Sequence, residues 1–226
     1  PVGLIKPAPT VGVVMTAPNG PGRTLRERYV QGTGLPCLFA MHQDSPARDA
    51  ESLALAWASG IGCARAGIIY TTFADETETD LFGEQAVLCG GMTQLILVAF
   101  ETLVRAGYPP QLAYLECCHE VKQIADLVYQ RGLAGMMKAI SNTAEFGAYK
   151  SGPIVIDDHV RKNMQQILES IRSGAFAREL SDDYAANFTW FNKQREKLAR
   201  HPIEDAGMAI RALMPWLDDN TRDQPA

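Results

Sequence analysis

The chain has 226 residues, of which 46% are apolar and 21% charged, and 26 Asp+Glu against 21 Lys+Arg give a net charge of −5. That length and apolar content exclude a disordered chain and suffice for one large core or two small ones. The mild acidity argues against nucleic acid, which calls for a basic stripe, and no stretch approaches the roughly 18 consecutive apolar residues of a membrane span.

Val11 to Thr16 (VGVVMT) reads as a short buried strand running into the turn Ala17-Pro-Asn-Gly-Pro-Gly22. Leu38 to Met41 is apolar but too short to assign. From Ala47 to Ser59 the residues are small and apolar, with Leu53, Trp57 and Ile61 at helical spacing. Beyond Gly67-Ile-Ile-Tyr70 everything reads as helix. The expected helices are Asp80 to about Ala106, Gln111 to Arg131 (stopped by Gly132), a short Leu133 to Ile140, Asp158 to Ser173, Tyr184 to Arg200 and Ile203 to Leu217. No internal repeat and no long linker interrupts them.

The sequence opens at Pro1, a context that fits removal of an initiator Met, a trimmed start being the alternative. No basic segment, apolar run and cleavage site combine near it. Cys37, Cys63, Cys89, Cys117 and Cys118 form no paired motif. Reduced thiols in a cytoplasmic protein are the expectation.

The most informative segment is Asp75-Glu-Thr-Glu-Thr-Asp-Leu-Phe-Gly-Glu84. Residues four apart share a helix face, so Glu76, Asp80 and Glu84 line one side where helix covers them all. Their repulsion costs stability unless cations, or a capping position for Glu76, offset it. An acidic first turn favoured by the helix dipole accounts well for Glu76. It accounts poorly for Glu84, which the following apolar helix is expected to carry inward. Glu116 and Glu120 form a second pair on a helix that is apolar over much of its circumference, where unpaired carboxylates are costly. Spacing alone leaves two readings open: a site for hard, oxygen-loving divalent cations, or surface charge with one paired core acid.

No nucleophile elbow, phosphate loop, H-E-x-x-H or G-x-G-x-x-G unit appears. The four histidines are scattered and read as structural. Phe188, Trp190, Phe191 and Trp216 read as core packing, because no positive charge accompanies them.

Asp75 through Gly91 (DETETDLFGEQAVLCGG) resembles, almost letter for letter, the signature of ketol-acid reductoisomerase, the acetohydroxyacid isomeroreductase of branched-chain amino-acid biosynthesis. Ala17-Pro-Asn-Gly-Pro-Gly22, Phe100-Glu-Thr-Leu, Ala113-Tyr-Leu-Glu-Cys-Cys-His-Glu120, Ile140-Ser-Asn-Thr-Ala-Glu-Phe-Gly147, His201-Pro-Ile-Glu204 and Met214-Pro-Trp216 resemble further family segments in order. The resemblance implies a mainly α fold, the knotted helical C-terminal domain of that family, over residues 23–226. Residues 1–22 are expected to be a β remnant, the last strand and turn of an otherwise lacking NADPH-binding domain. It also implies two magnesium ions, with manganese as the alternative, held by Asp80, Glu84, Glu116 and Glu120. The second pair comes from the other subunit of a homodimer. Glu76, Glu84 and Glu116 are the implied catalytic acids, and Ser141 the implied contact to the substrate carboxylate. Asn19 stands where the family has a catalytic Lys.

With no cofactor-binding residue in view, NADPH is not expected from this chain alone. The leading expectation is a magnesium-dependent ketol-type isomerase, moving an alkyl or acyl group in a 2-hydroxy-3-keto acid without its own hydride step. The alternatives are a truncated reductoisomerase, or one split from a separate nucleotide-binding subunit, and a catalytically silent dimeric ligand-binding protein.

Overall fold

The computed structural model describes residues 6–220, so Pro1 and the extreme ends of both expected domains lie outside the described residues. Contacts divide the chain into a unit up to Gly83 and a unit from Glu84 onward.

The first unit contains β1 (Val13–Pro18), α1 (Gly22–Val30), β2 (Cys37–Gln43), α2 (Ala50–Gly60), β3 (Ile68–Tyr70) and α3 (Phe73–Gly83). β2 is the central strand, antiparallel to β1 and parallel to β3. Pro18 pairs with Cys37 at the end of an edge strand, where its missing N–H costs little. Cys37, Phe39 and Ala40 of β2 are buried, as are Ala50, Ala54 and Ala58 of α2. Those alanines recur every fourth residue and form one helix face, small enough for α2 to pack closely on β1 and β2. The Thr16 hydroxyl donates to the Ala54 carbonyl at 3.4 Å across this seam.

The helical spacing of Leu53 and Trp57 is met in α2, on its outer, exposed face, because the alanine face is the one the sheet accepts. The single-strand remnant, by contrast, is too small an estimate. β1 belongs to a three-stranded sheet with helices packed on it, and the apolar piece at Leu38 to Met41 is its central strand.

The second unit is helical: α4 (Gly90–Arg105), α5 (Pro110–Tyr114), α6 (Val121–Met137), α7 (Asn142–Val155), α8 (Asp158–Arg172), α9 (Ala175–Ala185), α10 (Thr189–Ala199) and α11 (Pro202–Arg211). Its core joins Phe100 of α4, Ala113 and Tyr114 of α5, and Ile203, Ala206 and Ile210 of α11. His201 caps α11 by accepting the Ile203 N–H, and its Nε2 lies 3.2 Å from Glu101 Oε1 on α4. α8 begins at Asp157, which accepts the N–H groups of His159 and Val160.

Several boundaries differ from the sequence expectation. Gly132 does interrupt its helix, with φ 68 and ψ 174, but α6 resumes directly beyond it. The run from Tyr184 to Arg200 is two helices, separated where Asn187 and Phe188 adopt left-handed backbone. Asp183 accepts the Trp190 and Phe191 N–H groups there, restarting the chain as α10. α7 escaped the periodicity because its large apolar residues, among them Phe146 and Tyr149, face outward.

The expected helices at Asp80 to Ala106 and Gln111 to Arg131 each contain a π-turn, at Glu84–Leu88 and Leu115–His119. Such a turn holds one residue more than an α turn and is frequent at functional sites. Among the described residues one helical run, Phe73–Arg105, is long and apolar enough to cross a membrane, which no unbroken run of apolar letters had suggested. Few residues of that run are fully buried, and four acids (Asp75, Glu76, Glu78 and Asp80) lie in its first eight residues.

Candidate metal centre

The acidic segment begins on α3. Thr72 Oγ1 accepts the Asp75 N–H at 3.0 Å, so Thr72 is the cap and Glu76 stands one turn inside the helix. Glu76 is half-buried. Burial, and secondly the charge of Asp80, raise its carboxyl above the ordinary range, while a hydrogen bond from Thr77 lowers it. The side chain of Asp80 itself is exposed.

Glu84 opens the first π-turn, and the Cys89 N–H donates to its carbonyl across five residues at 2.9 Å. Glu116 lies inside the second, which closes by a 3.1 Å bond from the Glu120 N–H to the Leu115 carbonyl. Glu84, Glu116 and Glu120 are all exposed, which for Glu84 corrects the expectation that the following apolar helix carries it inward. The wide turns account for Glu84 and Glu116: the extra residue rotates each about 100° relative to the apolar helix that follows.

None of Asp80, Glu84, Glu116 and Glu120 makes a side-chain hydrogen bond or ion pair to a base among the described residues. Glu116 is felt by Cys117, whose thiol is pushed up first by burial and then by that carboxylate. Four acids with oxygen donors and no paired base suit hard divalent cations. Within this single chain, however, no three His, Cys, Asp or Glu side chains among the described residues converge to hold a metal.

Ser141 is the N-cap of α7. Its Oγ accepts the Ala144 N–H at 3.2 Å, which leaves its own hydroxyl proton available to an anion beside the helix N-terminus. Asn19 follows β1 and is exposed, with its N–H donating to the Pro36 carbonyl at 2.8 Å. Sequence spacing gave no sign of the π-turns. The available signal was Gly90-Gly91 inside an apolar helix, a pair that helix propensity disfavours.

Residues 73–216 match the family model described as "Ketol-acid reductoisomerase, C-terminal domain". Residues 2–67 match "Acetohydroxy acid isomeroreductase, NADPH-binding domain", so that domain is present in part rather than lacking. A solved structure, an NADH-preferring ketol-acid reductoisomerase from an uncultured archean, is 43% identical with a TM-score of 0.90. The similarity covers 93% of this chain and 63% of that one, so this chain spans under two thirds of its relative's length. With more than half of its residues in the C-terminal family model, the chain belongs to the ketol-acid reductoisomerase family.

Proposed function

We propose that this chain carries out the metal-dependent half of ketol-acid reductoisomerisation, the migration of an alkyl group in a 2-hydroxy-3-keto acid. The observation that carries this reading is the placement of Glu84 and Glu116 on two π-turns, exposed and without a paired base. Asp80, Glu84, Glu116 and Glu120 would hold two magnesium ions. When bound, those ions supply Lewis acidity that polarises a carbonyl and favours an adjacent alkoxide.

The protein's own groups do the rest. Glu76, its carboxyl raised by burial and by Asp80, is suited to hold and return the proton that leaves the substrate hydroxyl. Ser141 donates its hydroxyl to the substrate carboxylate, which the N-terminus of α7 also favours. Asn19 places a neutral amide where the family resemblance implies an ammonium, so no positive charge from that position assists the shift.

A homodimer completes the site. Its support is that Leu95, Val98, Tyr129, Phe146 and Ile154 are exposed apolar residues of α4, α6 and α7, a surface that a second copy covers. The deciding experiment incubates the chain with Mg2+ and a 2-hydroxy-3-keto acid, follows NADPH and NADH consumption, and identifies the products. A rearranged keto acid formed without nucleotide consumption supports the isomerase.

The three-stranded unit, with its match to the NADPH-binding domain, favours a second reading, in which the chain works as part of a complete reductoisomerase. Nucleotide-dependent turnover by this chain, alone or with a supplied nucleotide-binding domain, supports that reading instead.

A further inference from the structure

The first π-turn is held open by two absent side chains. A Cβ built on Gly90 would lie 2.1 Å from the Gln85 carbonyl oxygen, and one on Gly91 would lie 2.1 Å from the Ala86 carbonyl oxygen. Real Cβ atoms essentially never approach a neighbour that closely. The obstructing atoms are backbone oxygens of the turn itself, so no rotamer change relieves the overlap. Any residue other than glycine forces the turn to open or to tighten into an α turn. Glycine is not a requirement of π-turns as such. Glu120 closes the second turn on the Leu115 carbonyl while carrying a full side chain.

Keeping this turn has a cost. Glycine in a helix interior is worth about 1 kcal/mol less than alanine, and two stand here in succession. A structure built only for stability would place alanines at both positions and run α4 back as regular helix. What the wide turn provides is direction. One added residue rotates the residue that opens the turn by about 100° relative to the helix that follows it. Glu84 is the first residue of the turn, and α4, which packs on the second π-turn, begins at Gly90.

We propose that Gly90 and Gly91 are positioning residues for the divalent-cation site, holding the Glu84–Leu88 turn open so that Glu84 presents its carboxylate at the required angle to α4. This rests on the reading of Glu84 as a metal ligand. The two glycines touch neither metal nor substrate and act through Glu84.

The test uses Mn2+ as the probe, titrated into the full chain and followed by electron paramagnetic resonance, with circular dichroism recording helix content and melting. Four variants are compared with wild type: Gly90→Ala, Gly91→Ala, Gly91→Ala with Val87 deleted, and Glu84→Gln. Val87 is exposed, and removing it takes out the extra residue, so the segment becomes an α-helix that accepts alanine. The expected result is that each single alanine variant weakens Mn2+ binding by about tenfold or more, the range seen when groups orienting a ligand are lost. The deletion variant regains the melting temperature lost by Gly91→Ala but not the affinity. The proposal is overturned if the alanine variants bind within twofold of wild type, or if the deletion restores affinity along with stability. Unchanged binding in Glu84→Gln, or no Mn2+ binding by wild type, overturns the metal reading itself and is thereby told apart from failure of the glycine role.

Discussion

Arg211 on α11 donates to the hydroxyl of Tyr114 on α5 at 3.1 Å, joining positions 97 residues apart. The Tyr114 ring is buried in the core and leaves no room opposite Gly207, where a Cβ would lie 2.6 Å from Cε2. Gly207→Ala is therefore expected to destabilise the helical unit by about 1–3 kcal/mol, as overpacking does. Tyr114→Phe removes one hydrogen bond from a half-exposed arginine that also faces Glu204, and is expected to cost about 1 kcal/mol. Thermal unfolding followed by circular dichroism checks both, with Gly207→Ala the more damaging.

Glu116 and Glu78 are both exposed or part-exposed helix acids, but only Glu116 is assigned to the cation site. Glu116→Gln is expected to weaken Mg2+ binding at least about tenfold, since losing a ligand costs no less than losing its orienting partner. Glu78→Gln should change it by less than about twofold. Calorimetric titration decides, and equal losses count against the assigned acids.

The proposed homodimer is open to a mixing experiment. Glu84→Gln and Glu116→Gln are each expected to inactivate both sites of their own homodimers. In mixed dimers one site receives both substitutions and the other receives neither. Equal mixing after exchange of subunits should restore roughly a quarter of wild-type turnover, from half the dimers with one intact site each. No recovery in dimers shown to have exchanged means that both acids come from the same chain.

Cys37 and Cys63 are fully buried neighbours. Burial, and then the Cys63 thiol, push Cys37 from its ordinary 9.0 up to about 11. The folded state thus holds the neutral thiol more tightly than the unfolded state does. Its contribution is complete below pH 9 and is lost as pH rises from there to about 11, an effect of up to about 2–3 kcal/mol. Urea unfolding at pH 8 and pH 10.5 should show a steeper loss for wild type than for Cys37→Ala.

Asn19 offers a gain-of-function test. Asn19→Lys supplies the cation that the family resemblance implies for this position, and it is expected to raise the rate of alkyl migration without altering Mg2+ affinity. Product formation at saturating Mg2+ measures it.

The helical character of the chain, the break at Gly132 and the acids themselves were legible in the sequence because each has a local signature. The π-turns were not. Inserting one residue shifts a hydrophobic pattern by a phase that the varied residues of Leu88–Leu97 or Leu112–Ile124 conceal. That one omission produced the error about the burial of Glu84, since a continuous α-helix places it on a different side. The face that α2 buries was hidden for a separate reason. Periodicity weights large apolar residues, whereas the β1–β2 surface selected the smallest ones. The sheet itself was underestimated because β2 is central and its run of apolar letters is short.

The outward-facing Trp57 of α2 has two counterparts in the helical unit, Trp190 and Trp216, and each is about two-thirds exposed. These are all the tryptophans the sequence contains. Each indole already meets water in the folded chain, so unfolding changes its surroundings little. Intrinsic fluorescence will be a nearly silent reporter of the chain's stability. It will respond instead when something dry covers those rings.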